Sequence, residues 1–384
     1  MSRLAFWLAA VFVADRLLKL LAVARFMKCN WPAGLKAAPT VSVVSPITRG
    51  ASGLADNLDA RVSLVCPSPV EHLLVCDAGD HESVAAADQL GNAVPSVRII
   101  ALESSGGPAS KIEKLNAAIA QATGEVIVFV DDDIRLRPDA LSFLLPPLDD
   151  PRVGVTFGLA CSTGWSNTAT SLMSAFVNLN AAISYLPLTF LIEPFTVTGH
   201  CFAIRRNTLD EVGGFLGMAN RLDDDHEIAR RLRAHGYRIV QTALVYDVLN
   251  ELPTMSTLLN QLHRWFLFPR QAVAPYLARR EAVATAVTSL GGLILPMLAL
   301  GAIAGSRTAM GALTVSLAVV VGGQAWIDRW VLRRATPPDR WPLVAVMAAA
   351  GPALVLVSLA RGDEVTWRGQ RIRVRRGGWY EVVG

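Results

Sequence analysis

The chain is expected to fold as an α/β domain on a parallel-rich sheet, with membrane helices attached at both ends of that domain. Three observations point there. Between residues 41 and 130, short β-branched runs alternate with helical patterns, which implies parallel strands joined by right-handed crossovers. Of the 384 residues 52% are hydrophobic and only 18% charged, more apolar than a water-soluble domain of this size needs. The third is an apolar run, Val126 to Val130, that ends in Asp131-Asp132-Asp133, at the strand terminus where an open α/β sheet collects its ligands.

Taken in order, Leu4 to Ala14 is an apolar block interrupted by Asp15, Arg16 and Lys19 before Leu20 to Val23 resumes it. Asp15 and Lys19 are four residues apart and can pair on one helix face, so residues 1–27 are read as a retained membrane anchor. Residues 28–280 follow as a soluble catalytic domain. Its strand candidates are Val41 to Val44, His72 to Cys76, Val97 to Leu102 and Val126 to Val130; its helix candidates are Ser83 to Leu90 and Lys111 to Ala122, the latter stopped by Gly124. Residues 171–193 are apolar but punctuated by Asn178, Asn180 and Pro187, which suits a helix lying in the membrane interface along a path for a lipid. Within 281–360, the blocks Ala282 to Gly305, Thr308 to Ile327 and Trp341 to Ala360 carry no charge, and each matches a bilayer core at about 1.5 Å rise per residue.

Charge sets the orientation. Net charge is +4, and Arg25, Lys28 and Lys36 follow the first block while Arg329, Arg333, Arg334 and Arg340 crowd the loop before the last. Basic loops stay on the cytosolic side, so residues 28–280 are expected in the cytosol of an integral membrane protein. The basic tail, 361–384, carries six arginines and should also be cytosolic, which three full crossings would forbid. Gly351-Pro352 offers a break at which the last block could re-enter instead. Five cysteines without a CxxC pair suggest neither a disulfide framework nor a zinc site, and no nucleic-acid partner is expected.

The acids carry the chemistry. Asp77 and Asp80 follow a strand and could read a nucleoside. Three adjacent carboxylates at Asp131 to Asp133 repel one another unless a cation offsets them; Asp131 and Asp133, on one side of an extended segment, suit Mg²⁺ or Mn²⁺ bridging to a diphosphate. Asp223-Asp224-Asp225 opens a helix with more acids than capping needs, which leaves Asp225 free to act as a general base. Gln261-Leu262-His263-Arg264-Trp265 offers a guanidinium for a leaving diphosphate and an indole wall. His200 and His263 flank these motifs as supporting residues.

The order of these motifs resembles the D, D, D, (Q/R)xxRW pattern of membrane family 2 glycosyltransferases. It is closer still to the ceramide glucosyltransferase branch, through Val41-Ser-Val-Val-Ser-Pro-Ile, Lys111-Ile-Glu-Lys-Leu-Asn116, Val197-Thr-Gly-His200 and Trp367-Arg-Gly-Gln-Arg-Ile-Arg-Val with Gly377-Gly378. The resemblance implies a Rossmann-like GT-A fold and an inverting transferase that moves a hexose from a UDP-sugar, UDP-glucose first, to a membrane lipid such as ceramide. It implies nucleotide contacts from Asp77 or Asp80, Lys111, Asn116, Asp131 and Asp132, a divalent cation at Asp131 and Asp133, Asp225 as base, and Gln261, Arg264 and Trp265 as the pentad. Where the family's eukaryotic members read Asp-Ser-Gly this chain has Asp131-Asp132-Asp133, which leaves the identity of the metal-binding acid open. A hopanoid or other bacterial lipid acceptor, with a UDP-GlcNAc donor, is the alternative, since the Ala, Arg and Gly-rich composition suits a bacterial inner membrane. Behind it stand a processive polysaccharide synthase, which would need more spans, and a catalytically inactive membrane scaffold, which would have lost an acid. The sequence leaves the oligomeric state open.

Overall fold

The computed structural model describes every residue except Met1, Ala33, Lys36, Ala37, Ser52, Leu222 and Gly384, so Lys36 of the first basic loop lies outside the described residues. Helix α1 (Ser2–Cys29) leads into alternating elements: β1 (Val41–Pro46), α2 (Leu54–Val62), β2 (Val70–Asp77), α3 (His81–Ala93), β3 (Val97–Leu102), α4 (Ser110–Ile119) and β4 (Val126–Val130). These four strands are parallel, in the order β3-β2-β1-β4. After β5 (Ile134–Arg135), α5 (Ala140–Leu144), β6 (Val153–Ser162), α6 (Thr168–Leu188), β7 (Cys201–Arg205), α7 (Arg206–Glu211), α8 (Asp224–Ala234) and β8 (Arg238–Val248), the sheet is complete at eight strands. Strand β7 lies antiparallel between β4 and β6, so the second half of the sheet is mixed rather than parallel.

Every residue of β1 and β4 is buried, as expected of strands covered on both faces. Alternate side chains then feed two different cores. Val41, Val43, Val126, Val128 and Val130 pack on the face that meets α1 through Val23 and Phe26 and α6 through Ala182, Ile183 and Leu186. Val44, Ile127 and Phe129 pack on the opposite face, against Ile112 and Leu115 of α4 and Ile228 and Leu232 of α8. One face of the sheet is therefore covered by apolar helices and the other by helices of the soluble kind.

Downstream come α9 (Met255–Phe268), α10 (Arg279–Leu290), α11 (Ile294–Ile303), α12 (Arg307–Ile327) and α13 (Trp341–Ala360). Among the described residues, four helical stretches are long and apolar enough to cross a membrane: Thr168–Leu188, Arg279–Ile303, Arg307–Leu332 and Pro338–Ala360. The sequence singled out the last three for that length, and residues 171–193 for an interfacial role. Two of the four have both ends held on the catalytic domain. Beyond α6, Glu193 pairs with Arg238 of β8 at 2.7 Å, while ahead of it Ser166 bonds Glu251. Ahead of α13, Arg334 grips Asp247 of β8 at 2.6 Å; at its far end Arg270 donates to the Leu359 carbonyl at 2.6 Å. Helix α13 runs unbroken through Pro352.

The expected Asp15–Lys19 pair forms at 2.9 Å, and Lys19 also donates to the Thr288 carbonyl at 2.7 Å. That carbonyl sits just before Gly291–Leu293, where α10 gives way to α11. Lys19 thus ties α1 to the last turn of α10, just ahead of the helix break.

The tail departs most from expectation. It folds as an antiparallel sheet of β9 (Glu364–Trp367), β10 (Gln370–Val374) and β11 (Tyr380–Val382). Arg371 and Arg373 pair with Glu364, and Arg375 with Glu381, so part of the basic character is offset within the sheet. The sheet docks on the catalytic domain: Tyr380 N–H donates to the Asn220 carbonyl, Gly377 N–H to that of Gln271, and Arg221 stacks on Trp379.

Candidate active site

Parallel strands end on the same edge, and the N-terminus of antiparallel β7 reaches that edge too, because Cys201 pairs with Val130 and the Asp131 N–H donates to the His200 carbonyl at 2.9 Å. A cavity of about 810 Å³ opens there. Asp131, Asp132, Asp133, Lys111, Asp225, Gln261, Arg264 and Trp265 all line it, so the structure gathers most of the expected site.

Beneath the first acidic triple lies Arg61, fully buried, which donates to the carbonyls of Asp131 and Ile134. Burial holds its pKa down to about 10, and the carboxylates of Asp132, Asp131 and Asp133 work against that shift. Asp131 meets the Lys111 ammonium at 3.1 Å, and Lys111 reaches Asp224 at 3.2 Å. Asp132 accepts the Thr48 N–H at 2.5 Å, so this carboxylate braces the loop after β1. Asp133 has no side-chain partner among the described residues, and burial followed by the charges of Asp131 and Asp132 lifts its pKa to about 8.

Among the described residues no three His, Cys, Asp or Glu side chains converge as a ready metal cage. Mg²⁺ and Mn²⁺ do not require one, since such ions commonly take one or two carboxylates and complete their shell with water and substrate phosphate. The unpartnered Asp133 beside a cavity-lining Asp131 fits that donor set.

The second acidic triple is divided among three tasks. Asp223 is wholly buried and forms a forked pair with Arg221, at 3.1 and 2.9 Å. Gly378 of the tail lies so close that a Cβ there would sit 2.2 Å from the Asp223 Oδ1, and its φ of +84° is itself a glycine conformation. Asp224 holds Lys111. Asp225 faces the cavity, with Oδ1 accepting the His226 N–H at 2.8 Å and Oδ2 accepting the Gly199 N–H at 3.1 Å. Burial first, and then the charge of Asp224, raises its pKa to about 7. A carboxylate raised this far is a stronger base, and about half of it is still ionised at neutral pH.

Three expected contacts, Asp77, Asp80 and Asn116, do not line the cavity. Asp80 is the N-cap of α3, accepting the Ser83 N–H, and is buried there; local capping chemistry claims it. Asn116 lies on α4 outside the cavity lining, and it is Lys114 on that helix that reaches across, to the Asp77 carboxylate at 2.7 Å and the Ile47 carbonyl at 2.6 Å. Asp77 stands at the end of β2 and also accepts from Ser104. His263 bridges two backbone carbonyls, Ser358 and Glu364, at 3.3 and 3.2 Å; it ties α13 and β9 to α9.

The cavity does not stop at the charged end. It continues between α6, the α10–α11 break and α13, past Phe176, Tyr185, Leu290, Leu293, Val355 and Leu356.

The structure is similar to that of a mannosyltransferase from Pyrobaculum calidifontis in complex with GDP-Man and Mn²⁺, at 20% identity and a TM-score of 0.53, over 90% of this chain and 98% of that one. A remoter likeness, TM-score 0.42 at 14% identity over 65% of this chain and 55% of the other, is to GalNAc-T7 with UDP, GalNAc and Mn²⁺. The likeness to the mannosyltransferase bears out the expected GT-A architecture. The sequence matches the model of glycosyl transferase family 21 over residues 4–380, the family of ceramide glucosyltransferase. The chain therefore belongs to glycosyl transferase family 21.

Proposed function

We propose that this glycosyltransferase moves a hexose from a UDP-sugar, UDP-glucose first, to the hydroxyl of a membrane lipid such as ceramide, with inversion at the anomeric carbon. One observation carries the reading: a single cavity joins carboxylates at the strand ends to apolar walls contributed by helices long enough to cross a membrane. A soluble acceptor would have no use for the apolar half. Asp77, at the strand end, is the first acid of the motif. Asp131 and Asp133 would hold the divalent cation, which neutralises developing charge on the leaving diphosphate.

In the transfer, Asp225 accepts the proton of the lipid hydroxyl as that oxygen attacks the anomeric carbon from the face opposite the nucleotide. The bond from that carbon to the phosphate oxygen breaks, and its electron pair leaves with UDP. Arg264 meets that charge in a desolvated site. Trp265 and Tyr185 wall the reacting centre from water. Competition binding tests the donor: UDP should displace a labelled nucleotide in the presence of Mn²⁺ at concentrations where GDP does not. Equal displacement by GDP would remove uridine from the reading.

Topology follows from the same arrangement. We propose that α1, the α10–α11 stretch and α12 cross the membrane, while α6 and α13, continuous helices with both ends held on the catalytic domain, lie along its cytosolic interface without crossing. On a cysteine-free background, cysteines at Glu82, Ala335 and Arg376 should react with an impermeant maleimide only after the membrane is opened. A cysteine at Ala304, in the α11–α12 turn, should react in sealed cells. Labelling of Ala335 or Arg376 from outside would mean that α13 crosses.

A further inference from the structure

The residue Arg368 does something unusual for its position. It is the first of two residues joining β9 to β10, with φ +48°, followed by Gly369 at +76°. Two left-handed residues in succession make the tight hairpin turn that favours Asn or Gly at the first place. An arginine is strained there, and such outliers concentrate where a side chain is needed for function.

Its side chain points into the active site, not to solvent. Arg368 lines the same cavity as the acids, donating from one nitrogen to Ser110 Oγ and from another to Thr48 Oγ1, each at 3.2 Å. These are neutral hydroxyls, and Arg368 forms no ion pair among the described residues. Asp77, the carboxylate that feels its charge, already holds Lys114 and Ser104. Arg264 is in the same state: it lines the cavity, forms no ion pair among the described residues, and has Arg368 as its main charged antagonist. Both guanidiniums lie 5.5 Å from the centre of the Trp367 ring. The other cavity-lining cations are spoken for: Lys111 by Asp131 and Asp224, Arg16 and Lys19 by Asp15.

Two unpaired guanidiniums gathered around one indole, in a partly desolvated site, repel each other unless a dianion lies between them. We infer that Arg368, carried in on the β9–β10 turn of the C-terminal sheet, binds the donor's diphosphate together with Arg264. The tail is thereby a wall of the nucleotide site, and its docking through Arg221, Asp223 and Gly378 positions that wall. This inference rests on the nucleotide-sugar reading of the cavity. Had Arg368 served only to fasten the tail, its two hydroxyl bonds would suffice, and a neutral donor would do as well.

The test uses full-length protein in detergent with Mn²⁺, measuring UDP affinity by calorimetry and uridine affinity by ligand-observed NMR titration. Arg368→Ala should weaken UDP roughly 10- to 100-fold, the range for charge-assisted bonds to a phosphate, and leave uridine unchanged. Arg368→Lys keeps the charge and should recover part of the loss, which guards against a variant that simply fails to dock its tail. Unchanged UDP affinity in Arg368→Ala overturns the inference, as does an equal loss of UDP and uridine. Failure of the unmutated protein to bind UDP at all would instead overturn the proposed function on which it stands.

Discussion

Replacing Asp225 by Asn is expected to lower turnover by about 10² or more, equivalent to about 2.7 kcal/mol of barrier, while donor affinity stays nearly constant. The substitution keeps the size of the side chain and removes the basic oxygen. It also presents an amide NH₂ to one of two N–H donors, from Gly199 or His226, so some loss of order is expected on top of the lost basicity. The pH profile provides an independent check on the same residue. Because burial and Asp224 raise the Asp225 pKa to about 7, the carboxyl is protonated below that pH and cannot accept the hydroxyl proton. For the unmutated enzyme kcat/KM should therefore fall about tenfold per pH unit below about 7. Steady-state rates across pH 5 to 9 check it; a profile that stays flat down to pH 5 would move the base elsewhere.

Removal of the divalent cation has the second large effect. With EDTA the enzyme is expected to lose nearly all turnover, and Mn²⁺ or Mg²⁺ should restore it. Asp133→Ala should weaken UDP binding in the presence of Mn²⁺ and leave the metal-free affinity almost unchanged, because Asp133 has no side-chain partner among the described residues to lose. The contrast with Asp132 is informative, since that carboxylate holds the Thr48 backbone. Asp132→Ala should disturb the β1 loop with or without metal. Calorimetric titration of each variant with UDP, with and without Mn²⁺, separates the two roles; full activity in EDTA would contradict the cation's assignment.

The first half of the catalytic sheet was legible because β4 is buried on both faces and reads as an unbroken apolar run, while β1, β2 and β3 carry shorter aliphatic runs separated by helical patterns. Val126 to Val130 matches β4 residue for residue, and the acids after it could fall only at the strand end. The second half was harder. Strand β7 is five residues long, and nothing local to Cys201–Arg205 tells that it runs antiparallel to both neighbours. Spacing alone could not choose between Asp77 and Asp80, because the hydrogen bond that makes Asp80 a cap depends on where α3 begins. On α4 the resemblance drew attention to Asn116, but the helix turns Lys114 toward Asp77. Arg61 gave no signal, since a single arginine on a short helix looks like a solvated one until the acids fold over it.

The tail is the instructive miss. Six arginines read as a charged extension, yet Arg371, Ile372, Arg373, Val374 and Arg375 alternate with the period of a strand. Ile372 and Val374 are fully buried there, beside Leu267 of α9. That alternation, together with Gly377-Gly378, was the available sign that the segment packs. The expectation that the last apolar block breaks at Gly351-Pro352 also missed: α13 stays helical through Pro352, and its course is set by contacts at its two ends.

The most direct measurement is of the product. Purified protein should be incubated with UDP-glucose, UDP-galactose and UDP-GlcNAc in turn against ceramide, diacylglycerol and a hopanoid tetrol, with the extracted lipids analysed by mass. The account predicts one added hexose on ceramide with UDP-glucose, dependent on Mn²⁺ or Mg²⁺ and abolished by Asp225→Asn. A hopanoid product, or transfer from UDP-GlcNAc, would keep the chemistry and change the substrate. Free polymer, or UDP-sugar consumed with no lipid gaining mass, would contradict a transferase whose acceptor enters from the membrane.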